Sequence, residues 1–214
     1  MRYSVSIPIV SSHKTHPRMT GSLTQYMWAT TTRGHDCGRL RLDDFRNPTD
    51  AGLAFAGFPL PLPGTGPLPT LVVRQLGTKT HQGERAPPHL LSPCSVVAEC
   101  FVSTLALYQL ACSQHGFPLC GVLFRPRRAD QHGFEECPMS SSDLCFRLRT
   151  HLQLAGLYDG ETCHSFRRGA LQYQQAQGGT VDQLLGLSQL RSTATLQRYL
   201  DPGRHLVPPS RATG

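Results

Sequence analysis

The stretch "ETCHSFRRGALQYQQAQGG", Glu161–Gly179, decides how the rest of the chain is read. His164 stands three residues before Arg167, and Arg168 follows at once. Behind them Phe166, Ala170, Tyr173 and Ala176 recur near one helical face, and two glycines end the run. The pattern predicts a helix over 164–177 that opens with His164 and Arg167. Such a start is either a solvated helix end or an anion site. The free N–H groups and dipole of a helix N-terminus already favour negative charge.

Helical patterns continue on both sides of this stretch. "SSDLCFRLRTHLQLAG" (141–156) predicts a helix with Ser142 or Asp143 as cap and Gly156 as stop. Thr180 and Gln183 form a capping box for "VDQLLGLSQL". "STATLQRYL" (192–200) makes a last short helix before Pro202. The strongest helical stripe lies in 95–116, through Val97, Phe101, Leu105 and Tyr108. Its most apolar part, Val96–Ala111, contains Glu99, Ser103, Thr104 and Gln109, so it reads as a core helix and not a membrane span.

The N-terminal half is less regular. Residues 22–45 begin as a helix with Leu23, Tyr26, Met27 and Thr30 on one side, until Gly34 and Gly38 interrupt it. "TLVVRQL" (70–76) is β-branched and "GTKTHQGER" after it is turn-like, which suggests a strand and a hairpin. Between them, 51–70 places five prolines in eleven residues and reads as a polyproline surface loop, with an insertion at 57–69. Residues 1–20 read as a loose arm and 202–214 as a disordered tail. The class implied is α+β, mainly helical, with a small antiparallel sheet and one domain over 21–201.

The formal net charge of +7 and pI of about 9.2 suit a polyanionic partner. The 21 basic side chains include only two lysines, Lys14 and Lys79, leaving 21 − 2 = 19 arginines. The eight cysteines contain no Cys-x-x-Cys pair. Cys112 and His115 have ligand-like spacing, but no second pair completes a zinc site. The N-terminus is too polar for a signal peptide. A soluble, intracellular chain is expected.

Six polar residues then fall into an order. Arg33 is followed by Asp36, Lys79 lies in the hairpin turn, His164 and Arg167 open a helix, and Tyr199 comes 35 residues after His164 (199 − 164). Over roughly 21–201 this resembles the catalytic domain of the tyrosine recombinases, the phage-integrase family. The flavour of "RGHDCGRLRLDDF" and "HSFRRGALQ" is most similar to recombinases of eukaryotic mobile elements.

The resemblance implies strand cleavage of double-stranded DNA by the Tyr199 hydroxyl, leaving a 3′-phosphotyrosine and a free 5′-OH, with no metal or nucleotide cofactor. Arg33 and Arg167 clamp the phosphate, because a guanidinium donates to two oxygens at once and stays charged. His164 donates to the phosphate or assists proton transfer from Tyr199. Lys79 protonates the leaving oxygen, which an arginine cannot do. Asp36 orients Arg33. Arg168 is a backbone-phosphate or salt-bridge residue. Arg125, Arg127 and Arg128 are either a solvated loop or a DNA-backbone contact.

The pattern departs from the family at Leu190, nine residues before the tyrosine, where a His or Trp donor is usual. Leucine keeps the packing and loses the hydrogen bond. The family also clamps DNA with a separate N-terminal helical domain, for which few residues are present. A homo-oligomer on DNA, or a partner supplying that domain, is expected, in the nucleus if the source is eukaryotic. Two alternatives stay open: a DNA-binding remnant that no longer cuts, and a protein-interaction module using the Pro-rich loop.

Overall fold

A computed structural model of the chain describes residues 16–50, 52–117, 119–126, 128 and 133–201. The expected tail 202–214, Arg127 and the first part of the expected arm lie outside them. The described elements are α1 (His16–Thr30), α2 (Gly34–Gly38), β1 (Phe45–Arg46), β2 (Leu71–Val73), β3 (Leu76–Thr78), β4 (His81–Arg85), β5 (His89–Leu91), α3 (Phe101–Gln114), α4 (Ser141–Leu154), α5 (Cys163–Ala176), α6 (Val181–Ser188) and α7 (Thr193–Leu200). The chain is mainly helical with little strand, the class expected.

Side-chain caps set most of the helix starts, and they move several expected boundaries. Ser140 caps α4 by accepting from the Asp143 amide at 3.1 Å, so neither Ser142 nor Asp143 is the cap. Thr162 and Ser165 cap each other's amides at the start of α5, which puts His164 on its first turn. The Thr180–Gln183 box forms as expected. α3 starts later than the stripe suggested. Val97–Glu99 makes a separate 3₁₀ turn, and the Cys100 Sγ accepts from the Ser103 amide. α1 begins at His16, inside the stretch expected to be a loose arm.

Strand pairing also differs from the sequence expectation. β2 is not part of the hairpin. It is the middle strand of an antiparallel sheet in the order β1-β2-β5, with Val73 opposite both Phe45 and His89. The hairpin is a separate pair, β3-β4, and Lys79 and Thr80 form its tip. No described helix is long and apolar enough to cross a membrane.

Two apolar clusters hold these elements. The larger joins α1, α3, α4 and the sheet through Tyr26, Met27, Phe45, Leu105, Tyr108 and Leu144, all solvent-free. The smaller consists of Leu171, Leu184, Leu196 and Leu200 from α5, α6 and α7, with Leu190 and Tyr199 packed against it. α5 touches α1 on one side and α7 on the other, so it carries its side chains to the boundary between the clusters.

α2 lies close to the chain that leads into α4 because Gly38 has no side chain. A Cβ at Gly38 would lie 2.1 Å from the Met139 carbonyl oxygen, a backbone atom that cannot step aside. Gly38→Ala is therefore expected to cost about 2 kcal/mol or more through overpacking. Urea unfolding of the variant beside wild type checks this. Equal midpoints would show that the approach of α2 to Met139 is not close.

Candidate active site

Arg167 is the largest fully buried side chain, with 2% of its surface exposed. Its guanidinium donates to the Thr31 carbonyl and, at 2.7 Å, to the Ser188 carbonyl. Those acceptors come from the end of α1 and the end of α6. Thr31 has φ of 51°, a left-handed conformation uncommon for a β-branched residue. The turn it makes ends α1 and leaves its carbonyl as an acceptor for the arginine. Burial and the nearby Arg33 charge lower the Arg167 guanidinium to about 10, so it stays charged at neutral pH.

Arg33 and Arg167 line one narrow cleft with Asp36, His89 and Gln189. Asp36 is buried and makes two contacts that matter. Its Oδ2 lies 3.8 Å from Arg33 Nη1, and its Oδ1 accepts the Lys79 backbone N–H at 3.1 Å. The Gln75 side chain also donates to the Asp36 carbonyl. One carboxylate thus places the first arginine and fixes the base of the turn that carries Lys79. The Lys79 side chain is exposed beside a groove of about 590 Å³ that His35, Arg39 and Gln82 also line.

Tyr199 lies over the start of α5. Its ring centroid is 5.0 Å from that of His164 and 5.4 Å from the Arg167 guanidinium carbon. His164 and Arg167 are one helical turn apart, so both can face the same ring. Burial lowers the His164 pKa, as do the charges of Arg167, Arg168 and Arg33. The imidazole is neutral at neutral pH and can accept a proton. Two ties fix the C-terminal end of α7 to α5. Gln172 donates to the Tyr199 carbonyl at 3.2 Å, and Arg168 donates to the Asp201 carbonyl.

The structure thus gathers Arg33, Asp36, His164, Arg167 and Tyr199 and brings the Lys79 turn beside them. The other residues that the sequence suggested are not part of this group. Arg125 is 7% exposed and its guanidinium lies 5.5 Å from the Phe134 ring centroid, so it is packed and not part of a solvated loop surface. Arg128 is exposed. Arg168 is engaged at the end of α7, where it donates to the Asp201 carbonyl. Leu190 packs against the smaller cluster, as does Tyr199.

Similar structures share this architecture. The XerH site-specific recombinase bound to difH substrate, in a pre-cleavage complex, superposes with a TM-score of 0.59 at 12% identity over 92% of this chain and 46% of that one. The same recombinase with palindromic difH, in a post-cleavage complex, gives 0.58 at 14% over 94% and 47%. XerA recombinase gives 0.52 at 16% over 91% and 60%. The fold is that of a tyrosine recombinase catalytic domain. The chain spans about half the length of XerH, 46%. No family model matches the chain, and no curated protein matches its sequence.

Two residues of the cleft were not found from the sequence. His89 takes an inward position on β5, a strand of three residues in which Leu90 points out and Leu91 in. Gln189 ends α6 with φ of 53° and donates to the His89 Nε2 at 2.8 Å. The signal available was a histidine two residues before an inward leucine, in a strand too short to be recognised.

Burial, with the Arg167 charge, holds His89 down to about 4. Below pH 6.5 the unfolded chain binds a proton there that the folded chain refuses, so stability falls between pH 6.5 and 4. The His89 share is on the order of 3 kcal/mol. Urea unfolding at pH 7 and pH 4.5 should show a shallower loss for His89→Gln than for wild type. Parallel losses would mean that His89 is not buried in its neutral form.

Proposed function

We propose that the chain is the catalytic unit of a site-specific DNA recombinase that cuts and rejoins strands through Tyr199. The observation that carries this is the position of the Tyr199 ring against both His164 and Arg167, beside a cleft that also takes in Arg33. In this reading the Tyr199 oxygen attacks the scissile phosphorus and its proton passes to the neutral His164. Arg33 and Arg167 neutralise the charge that builds on the non-bridging oxygens. The P–O5′ bond breaks as the new P–O bond forms, and Lys79 gives the leaving 5′ oxygen its proton. The bond energy is retained in the phosphotyrosine, so the reverse attack by a 5′-OH rejoins the strand.

The partner in this proposal is double-stranded DNA, held by two or more copies of the chain or with a further clamping domain. The +7 charge and the Arg39–Lys79 groove support it. The likeness of "RGHDCGRLRLDDF" and "HSFRRGALQ" to recombinases of eukaryotic mobile elements supports a source in such an element and a nuclear setting. One observation favours a second reading, a DNA-binding remnant: Leu190 stands where the family keeps a phosphate donor.

A labelled duplex with a nick next to the cleavage site separates the two readings. On a denaturing gel, wild type is expected to give a protein–DNA adduct that Tyr199→Phe abolishes. DNA binding without any adduct would select the remnant. Binding should also weaken steeply between 50 and 200 mM salt, as counterions are released from phosphates. A dissociation constant that does not change with salt would remove DNA as the partner.

Leu190→Trp restores a donor beside the tyrosine. Single-turnover cleavage is expected to rise, up to the roughly 10²-fold that one transition-state donor is worth, with little change in DNA affinity. A folded variant that cleaves no faster would show that position 190 does not face the phosphate.

A further inference from the structure

The cleft between Arg33 and Arg167 measures about 10 Å³, which is room for about one oxygen-sized atom. A phosphate entering it would insert a single non-bridging oxygen. His89 lines the same cleft. It reaches that place because β5 pairs with β2, with His89 opposite Val73 on the inward side of the sheet.

The protonation state of His89 follows from its neighbours. The Gln189 Nε2 lies 2.8 Å from the His89 Nε2 and 3.3 Å from the Pro87 carbonyl oxygen. A carbonyl oxygen only accepts, so the Gln189 atom facing both partners is the amide nitrogen and not the amide oxygen. That nitrogen has no lone pair to offer. The His89 Nε2 must therefore accept, and in the neutral ring the proton is on Nδ1. No described residue accepts from this Nδ1–H. A donor without a protein acceptor, on the wall of a cleft flanked by two guanidinium groups, suits the oxygen of an anion and repels a cation.

We propose that His89 is a further catalytic residue, presenting Nδ1–H to a non-bridging oxygen of the scissile phosphate, with Gln189 fixing its tautomer. This inference rests on the phosphotyrosine reading above. No proton is transferred: the N–H remains on His89 and stabilises charge as it grows on the oxygen. The pair also explains how the site tolerates Leu190. Gln189 is its immediate neighbour in the chain, and His89 brings from the sheet the donor that Leu190 lacks.

Two measurements test this. The first is single-turnover cleavage of nicked duplexes carrying either the natural phosphate or one of the two methylphosphonate diastereomers at the scissile position. His89→Leu is expected to slow cleavage of the natural phosphate roughly 10²-fold while changing DNA affinity little. It should cause no further loss on the diastereomer whose methyl group replaces the contacted oxygen. His89→Asn, which can place an N–H near the Nδ1 position, should recover part of the rate. Equal losses on all three substrates would reduce His89 to a packing role and overturn the proposal.

The second measurement needs no cleavage. Ring ¹⁵N spectra, assigned with His89→Asn, should show the Nδ1–H tautomer in the free protein and a shift of Nδ1 when the nicked duplex binds. An Nε2–H tautomer, or an Nδ1 unmoved with the duplex bound, overturns the proposal. A shifted Nδ1 with no adduct from wild type would sustain the phosphate contact while the cleavage reading fails. Absence of DNA binding would end both.

Discussion

The Arg167 guanidinium is charged, shut off from water and held by the carbonyl oxygens of Thr31 and Ser188. Burying such a charge without partners costs several kcal/mol, so the position is tolerable only with all of its surroundings in place. Those surroundings come from three parts of the chain. α1 must end at residue 30 for the Thr31 carbonyl to be available, and α6 must end at 188 for the second one. The face of Tyr199 then covers the group from α7. The left-handed turn at Thr31 is the kind of local strain that persists only where the surrounding packing over-determines it.

Asp36 does for the sheet side what Arg167 does for the helices. Its carboxylate faces Arg33 and the backbone of Lys79, residues 46 positions apart (79 − 33) with the Pro-rich loop between them. Closing so long a connection costs little more than closing one of half the length, because loop entropy grows only with the logarithm of length. The loop can therefore be long without disturbing the site, provided its two ends are pinned. Asp36 and the pairing of β1 with β2 pin them.

The sequence made the helices and the gathered polar residues legible for different reasons. Helix periodicity survives at 141–156 and 164–177 because each helix buries one face. The order of Arg33, Asp36, Lys79, His164, Arg167 and Tyr199 was legible through the resemblance, which names those residue types, and the fold brings five of them together beside the Lys79 turn. What stayed hidden depends on contacts distant in sequence. Arg125 looked like part of a surface cluster, yet Phe134 gives it a place to pack. β1 and β5, of two and three residues, are too short to show alternation, and they exist because β2 pairs with both. His89 was lost with β5. The start of α3 shifted because the Cys100 thiol, an unusual cap, accepts where a hydroxyl normally would.

The two separate apolar clusters have a consequence for local stability. α6 and α7 are held by four leucines and a few ties to α5 and the sheet, whereas α1 and α3 share the main core. Opening free energies within one fold follow such differences in buried contact. The amides of α6 and α7 should therefore exchange with solvent as a group, well before those of α3. Tyr199 belongs to the segment that can lift away and return while the rest of the molecule stays folded.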